Sequence, residues 1–417
     1  MEIQKLTKEI RDNSISKQKK RSPEELATSW FQEDLLYSGA GKSIFVILPS
    51  PGCSWALGDS GGCTMCSYIA DCTLEPIDSK KIVELFKREI AKYSDEIKSI
   101  AKNSEEIKSL NKNSEEIKSL AKNSEEIKST DENSEEIKSL AKNSEEIQTQ
   151  DNAQSPIPIA IKIFASGSFL NPQEVPKDAR DEILEILANM DEIKEIIVES
   201  RPEYVNSEVL EEIFSIIGDK LFEVSIGLES EDDLVREEKI NKGFSKHDFE
   251  VSISKIANLK TKYNIKSKAY ILFKPILSSE KEAIEDAINT AKYSQKIGVD
   301  RVSFCPATIH KGTLIERLWR KGAYTPPWIW SVIEVINNVR KNVSIPSFMD
   351  TSGFGSRRGP YNCKKCNKDL KHRIIQSNLN QSLIENVDCE CKNQWIGELK
   401  FSSLNRSKTP IKHLPLI

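Results

Sequence analysis

Four of the nine cysteines lie between positions 53 and 72, in the stretch CSWALGDSGGCTMCSYIADC. Cys53, Cys63 and Cys66 follow the spacing C-x9-C-x2-C. Three thiolates in one loop suit an iron–sulfur cluster or a zinc ion. A structural zinc wants a fourth ligand, and Cys72 stands six residues beyond Cys66. A cluster with three protein ligands instead leaves one iron open to a substrate. Gly58, Gly61 and Gly62 let the loop wrap closely round a bulky group, and the aromatic Tyr68 follows just after the last ligand.

A second set reads C-x2-C-x22-C-x-C: Cys363, Cys366, Cys389 and Cys391. This spacing predicts a structural zinc knot joining two short loops, with a second iron–sulfur cluster as the competing reading. Beside it run Arg357, Arg358, Lys364, Lys365, Lys368, Lys371, His372 and Arg373. That basic run predicts contact with nucleic-acid phosphates, with a solvated face or a partner's docking surface as the alternative. Cys305 reads as a buried strand residue, and the four histidines show no ligand-like spacing.

The elements around these residues alternate. Residues 1–22 read as a polar, basic, mobile extension. SPEELATSWFQEDLL (22–36) reads as a helix with Ser22 as N-cap, Pro23 in the first turn and Glu25 completing a capping box. GAGKS (39–43) lacks the first glycine of a phosphate loop and precedes its strand, so it reads as a turn into the buried strand 43–49. That strand delivers the cysteine loop, and a helix over 79–94 follows.

Residues 95–150 repeat NSEEIKSLAK in about five copies. Apolar residues recur as Ile97/Ile100, Ile107/Leu110, Ile117/Leu120 and Ile137/Leu140. Ten residues miss whole helical turns by ~80°, so no fixed apolar stripe forms. The stretch reads as an exposed, dispensable insertion, with a partner-binding coiled coil as the alternative. Beyond it, strands over 159–169, 195–205, 222–230, 266–276 and 299–308 alternate with helices over 181–190, 207–218, 246–264 and 281–298. That rhythm predicts parallel βα units. Polar residues mark the strand ends: Ser166, Ser168, Glu199, Arg201, Glu229, Ser230 and Lys274. Such positions build cofactor sites in α/β barrels.

The chain carries 60 basic and 64 acidic groups, and residues 95–150 hold 14 of the acidic but only 9 of the basic ones. The remainder is near neutral, so nucleic-acid binding must come from local patches. No stretch approaches the ~20 apolar residues of a membrane span, and the N-terminus lacks the apolar core of a signal peptide. Nine cysteines without export point to a reducing cytoplasm and to metal or catalysis.

The cysteine spacing at the end of the first strand of a six-fold βα series resembles the radical S-adenosylmethionine (SAM) superfamily, in its elongator-catalytic-subunit-like branch. PSPGCSWALGDSGGCTMCSY, SGSFLNPQEVP, ESRPEYV, VSIGLES and NKGF resemble, in order, the family of archaeosine synthase radical SAM subunits. The likeness covers roughly 22–94 and 155–400. It implies an α/β fold: a partial (β/α)6 radical SAM barrel over 43–309, carrying the 95–150 insertion. An N-terminal extension (1–42) precedes it and a C-terminal region with the cysteine-rich, basic module (310–417) follows.

The resemblance also implies roles. Cys53, Cys63 and Cys66 would ligate a [4Fe–4S] cluster whose open iron binds SAM. Ser166, Gly167 and Ser168 occupy the turn that takes the methionine amino group, with SGS where many relatives have GGE. Glu199 and Arg201 are candidates for the SAM ribose and carboxylate, Glu229 for SAM or substrate, and Tyr68 for the cofactor; for the turn, Glu199, Arg201 and Glu229 an ordinary barrel-top salt bridge is the alternative. The implied reaction is radical C–N cleavage of a lysine-adducted 7-cyano-7-deazaguanine in the tRNA D-arm, giving archaeosine. The implied partners are tRNA, a transglycosylase-like subunit and an external electron donor. Another tRNA modification, or a non-catalytic zinc-binding RNA adaptor, stays open on the residues alone.

Overall fold

The computed structural model describes residues 2–102, 157–385 and 387–402. All strands join one sheet in sequence order. They are β1 Thr28–Leu36, β2 Gly39–Ile47, β3 Ile159–Phe164, β4 Ile193–Ser200, β5 Leu221–Glu229, β6 Ile265–Phe273, β7 Arg301–Pro306 and β8 Ser347–Met349. β1 and β2 pair antiparallel; each later pairing is parallel. The helices are α1 Glu2–Ser16, α2 Pro23–Leu26, α3 Ser54–Leu57, α4 Ser79–Ala91, α5 Lys177–Ala188, α6 Ser207–Ile217, α7 Lys246–Leu259, α8 Glu280–Lys296, α9 Leu314–Arg320, α10 Ile329–Asn342, α11 Asn367–Asn380 and α12 Cys391–Ser402. None among the described residues is long and apolar enough to cross a membrane.

Period-two alternation sorts each strand into two faces. Ile44, Val46, Ile161, Ile163, Ile196, Val198, Val224, Ile226, Ile271, Val302 and Phe304 are buried in the apolar core that also takes residues from α4 to α8 and α10. The intervening positions carry polar groups: Ser43, Lys162, Glu195, Glu199, Glu223, Ser225, Lys268, Tyr270 and Arg301. The sheet therefore curls into a half-barrel with helices outside and a polar concave face.

Ion pairs cross the lower part of that face. Lys162 reaches Asp34, while Lys268 and Arg301 both reach Glu223. Burial pushes Lys162 down to about 8, against the pull of Asp34. Burial raises Glu223, but Arg301 and Lys268 outweigh it and hold the carboxylate ionised. Local signals set the helix starts: Ser245 with Asp248 and Ser279 with Glu282 form capping boxes on α7 and α8.

Three expectations need correcting. The helix expected over 22–36 stops after one turn at Leu26, although its capping box forms. Thr28–Leu36 is instead a strand, because tertiary pairing with β2 across the tight Tyr37–Ser38 turn overrides local helix signals. The N-terminal 22 residues are not a mobile tail. α1 docks through Ile3, Leu6 and Ile10 against Ile309, Leu314, Ile315 and Leu318 of the region around α9. Its apolar residues fall three and four apart, but they are few and the basic residues mask them.

The ten-residue repeat is not wholly exposed at its start, since Ile97 (4% exposed) and Ile100 (9%) are buried in the main core. Residues 103–156, which hold the later copies, lie outside the described residues. The six parallel strands β2–β7 match the expected series, and β8, from within 310–417, extends it by one.

Candidate functional site

The cysteine loop sits where β2 ends, at the open mouth of the half-barrel. Cys53 is the N-cap of α3. Gly61 and Gly62 follow at φ +69° and +81°, a backbone region that favours glycine. Four neighbouring segments hold the loop. Asn241 Nδ2 donates to the carbonyls of Ser60 (3.0 Å) and Gly62 (2.6 Å). Trp55 Nε1 donates to Asn241 O at 2.8 Å. The Glu174 carboxylate accepts from Ser54 N and Oγ, each at 2.8 Å, and from Ser168 N. Ser50 Oγ donates to Ala165 O at 2.6 Å. From the N-terminus, Arg11 donates to Gly61 O (3.0 Å) and Cys66 O (2.7 Å).

The three thiols face one another electrostatically, each destabilising a neighbour's thiolate. Burial pushes Cys63 up to about 11, with Lys242 and Arg201 pulling the other way. Burial raises Cys66, opposed chiefly by Arg11. It raises Cys53 too, reinforced by Glu174 and opposed by Arg201. Three cations thus act on three half-buried thiols.

Arg201 lies 5.2 Å from the Trp55 ring and 5.5 Å from that of Phe244. Its Nη1 donates to Lys242 O at 2.9 Å and its Nε to Glu203. Its Nη2 is buried without a hydrogen-bond partner. An orphaned guanidinium N–H, three nearby cations and a glycine-lined loop fit a bulky anionic group held by the three thiolates.

Cys72 lies beside this arrangement, in a small apolar cluster against which Cys53 packs. It is 1% exposed, packs with Ala56 and Ile69, and donates to Tyr68 O at 3.1 Å. Burial pushes its thiol up to about 12.

The remaining expected residues divide. Ser166 takes a left-handed φ of +55° after β3. Gly167 packs against Glu174 and Cys53 so closely that a Cβ would collide. Ser168 is buried, and its Oγ accepts from Arg201 N at 3.0 Å. Glu229 is ion-paired with Lys242 at 2.6 Å, the barrel-top salt bridge weighed as its alternative. Burial raises the carboxyl of Glu199, while a hydrogen bond with Tyr270 opposes that rise. Tyr68, 60% exposed, lies within electrostatic reach of Glu199, Cys305 and Asp350. Lys274 pairs with Glu280 instead of facing the loop.

Sequence reasoning missed Arg11, Trp55, Glu174, Asn241, Lys242, Tyr270 and Asp350. Two signals were at hand: Glu174 lies in the quoted NPQEVP, and Asn241 and Lys242 open the quoted NKGF.

The second cysteine set converges. Sγ separations are 3.4 Å for Cys363–Cys366, 3.6 Å for Cys363–Cys389, 3.7 Å for Cys366–Cys391 and 3.5 Å for Cys389–Cys391. All four sulfurs lie within 4.8 Å of one another. Trp330 Nε1, from α10, donates to Cys391 Sγ at 3.3 Å.

The basic run beside the knot is only partly free. Arg358 donates to Ile309 O (3.1 Å) and Glu316 (3.1 Å) and lies 4.9 Å from the Trp319 ring. Arg373 pairs with Asp369 and Lys365 with Glu390. Arg357, Lys364, Lys368 and His372 are exposed.

The curled eight-stranded sheet, the thiol loop at its mouth and the four-cysteine knot define an α/β half-barrel protein with a C-terminal metal-binding type of cysteine cluster. No protein-family model matches the chain. It is 32% identical to archaeosine synthase subunit beta of Methanosarcina acetivorans, over 99% of both chains. The Thermococcus kodakarensis protein of that name is 40% identical over 57% of this chain and 73% of its own. An uncharacterised Methanocaldococcus jannaschii protein is 35% identical over 95% of this chain and 93% of its own. The chain belongs to the archaeosine synthase subunit beta family. Among solved structures, Elp3 of Methanocaldococcus infernus matches 58% of each chain with TM-score 0.40 at 16% identity. Methylornithine synthase matches 59% of this chain and 70% of its own with TM-score 0.36 at 12% identity.

Proposed function

We propose that this chain is the radical SAM subunit of an archaeosine synthase. Its substrate is tRNA whose D-arm carries the lysine adduct of 7-cyano-7-deazaguanine, and its reaction is a lyase-type cleavage of the lysine C–N bond. The observation that carries this is the three-thiol loop ringed by Arg11, Arg201 and Lys242, in a chain similar over its whole length to archaeosine synthase subunit beta.

Cys53, Cys63 and Cys66 would hold a [4Fe–4S] cluster. When bound, cluster and SAM together supply a 5′-deoxyadenosyl radical able to abstract hydrogen. The protein's part is placement. The orphaned Nη2 of Arg201 offers a donor to the SAM carboxylate. The Ser166–Ser168 turn would take the methionine amino group and Glu199 the ribose, with Tyr68 a further candidate to contact SAM. Glu229 holds Lys242 toward Cys63. The polar concave face, with Glu199, Tyr270 and Asp350, suits the cationic lysine-derived part of the substrate. A transglycosylase-like subunit would supply the adduct, an external donor the electron, and a cytoplasmic setting the reducing conditions.

At the C-terminal knot we assign a structural zinc ion. A tetrahedron with Zn–S near 2.3 Å places sulfurs ~3.8 Å apart, close to the 3.4–3.7 Å separations found here. A four-iron cluster needs a wider ligand set.

Anaerobic reconstitution with iron and sulfide should give a brown protein that, with SAM, reductant and lysine-adducted tRNA, yields archaeosine in nucleoside mass spectra. Formation of 5′-deoxyadenosine without archaeosine would redirect the substrate. A colourless protein that holds only zinc rejects the enzyme reading.

A further inference from the structure

Arg11 is 2% exposed and so is effectively desolvated. Among the described residues no carboxylate lies within ion-pair distance of its guanidinium. Its hydrogen bonds go to two backbone carbonyls, those of Gly61 and Cys66, which bracket the C-x2-C pair Cys63–Cys66. A buried cation that has only carbonyl dipoles for company is costly unless a negative group lies close by. The bond to the Cys66 carbonyl, at 2.7 Å, sets the guanidinium directly beside one of the three ligand cysteines.

The helix that carries Arg11 is seated to hold it there. Leu6 and Ile10 pack in the same apolar cluster as Cys63 and Met65. The backbone of Thr7 and Lys8 lies so close to Gly61 that any Cβ there would collide with it. Beyond the helix, Gln18 Nε2 donates to Ala70 O (3.2 Å) and Cys72 O (3.1 Å). The segment from Leu6 to Gln18 therefore clasps the ligand loop from Gly61 to Cys72.

We propose that Arg11 is the fixed counter-cation of the group held by Cys53, Cys63 and Cys66, and that α1 is the clasp that positions it. Both the reduction potential of that group and its retention then depend on the N-terminal helix. This inference rests on the cluster reading above. Three thiolates and a four-iron core carry net negative charge, which grows by one on reduction. A buried cation beside a ligand stabilises the reduced form, since cluster potentials follow local charge, hydrogen bonding and solvent exposure. Arg11 is a positioning residue: it acts through the ligand loop and touches no substrate.

The test uses the full chain, reconstituted anaerobically with iron and sulfide, as wild type, Arg11→Met, Arg11→Lys and Ile3→Asp. The readouts are iron content, iron loss to a chelator, and the cluster midpoint from redox titration followed by paramagnetic resonance. In Arg11→Met the ratio of reduced to oxidised cluster at fixed solution potential should fall about tenfold, a shift of about 59 mV for one electron. Arg11→Lys keeps the charge but cannot span both carbonyls, so it should hold the wild-type midpoint and lose iron faster. Ile3→Asp detaches α1 without altering Arg11, and should reproduce the Arg11→Met midpoint. An unchanged midpoint and iron retention in Arg11→Met overturns the counter-cation; an unchanged Ile3→Asp overturns the clasp. A wild-type chain that takes up no cluster refutes the cluster reading itself, and this inference with it.

Discussion

The two cysteine sites solve different problems. At the C-terminal knot each sulfur's near neighbours are other sulfurs at 3.4–3.7 Å, and the site is closed by α10 through Trp330. At the barrel mouth the charges acting on the three thiols include the cations Arg11, Arg201 and Lys242. The knot is a ligand set saturated by protein, which is what a structural metal needs. The loop offers three thiols in a cationic pocket beside an unpaired Arg201 N–H, so the cluster proposed there would keep one iron free of protein ligands. Residue type is the same in both places; spacing and surroundings set the difference.

The sharpest way to break this contrast is to remove one ligand at each site. Cys63→Ala should abolish iron uptake and 5′-deoxyadenosine formation while one zinc per chain remains, as measured by metal analysis. Loss of zinc together with iron would show that the sites are not independent. Cys391→Ser should do the reverse: zinc falls away and unfolding free energy drops by about 3 kcal/mol or more, seen as a lower Tm, with iron still taken up.

Asn241→Ala tests whether the mouth loop is held from outside. It removes two hydrogen bonds to the loop, to Ser60 and Gly62, at about 2 kcal/mol in all. Iron retention should weaken and zinc content stay constant. Trp330→Phe is the matching change at the knot. It removes one N–H···S bond worth about 1 kcal/mol, so zinc should pass faster to a chelator while the cluster potential stays fixed.

The smallest effect lies outside both sites and serves as a control. Burial raises Asp286 from 3.8 to about 6. The folded state therefore favours the protonated form, and the stability this group contributes at low pH is lost as pH rises through about 6. Asp286→Asn should match wild type at pH 4 and exceed it in stability at pH 7 in denaturant melts. Zinc and iron contents should be unaltered.

Much of the fold was legible. Strand and helix periodicities placed β3 to β7 and α4 to α8 within a few residues, because each element buries one face and carries its own cap signals, such as Ser279 with Glu282. The segment 22–36 was misjudged because a capping box describes only the first turn; Thr28–Leu36 pairs with β2, and nothing within the segment records that partner. The N-terminal helix was missed because three apolar residues among many charges look like a solvated tail until α9 is placed against them.

The sequence by itself determined which cysteines stand close along the chain, the alternation that makes a half-barrel, and the strand whose end delivers the loop. These follow from spacings of two to ten residues, set by local backbone geometry and solvent. Only the tertiary structure decided that Arg11 reaches Cys66 O, that Asn241 spans Ser60 and Gly62, and that Cys363 meets Cys389. Those contacts join residues 26 to 181 positions apart. They exist because folding removes water from polar groups that must then find partners, and the partner is whichever group the packed elements bring near.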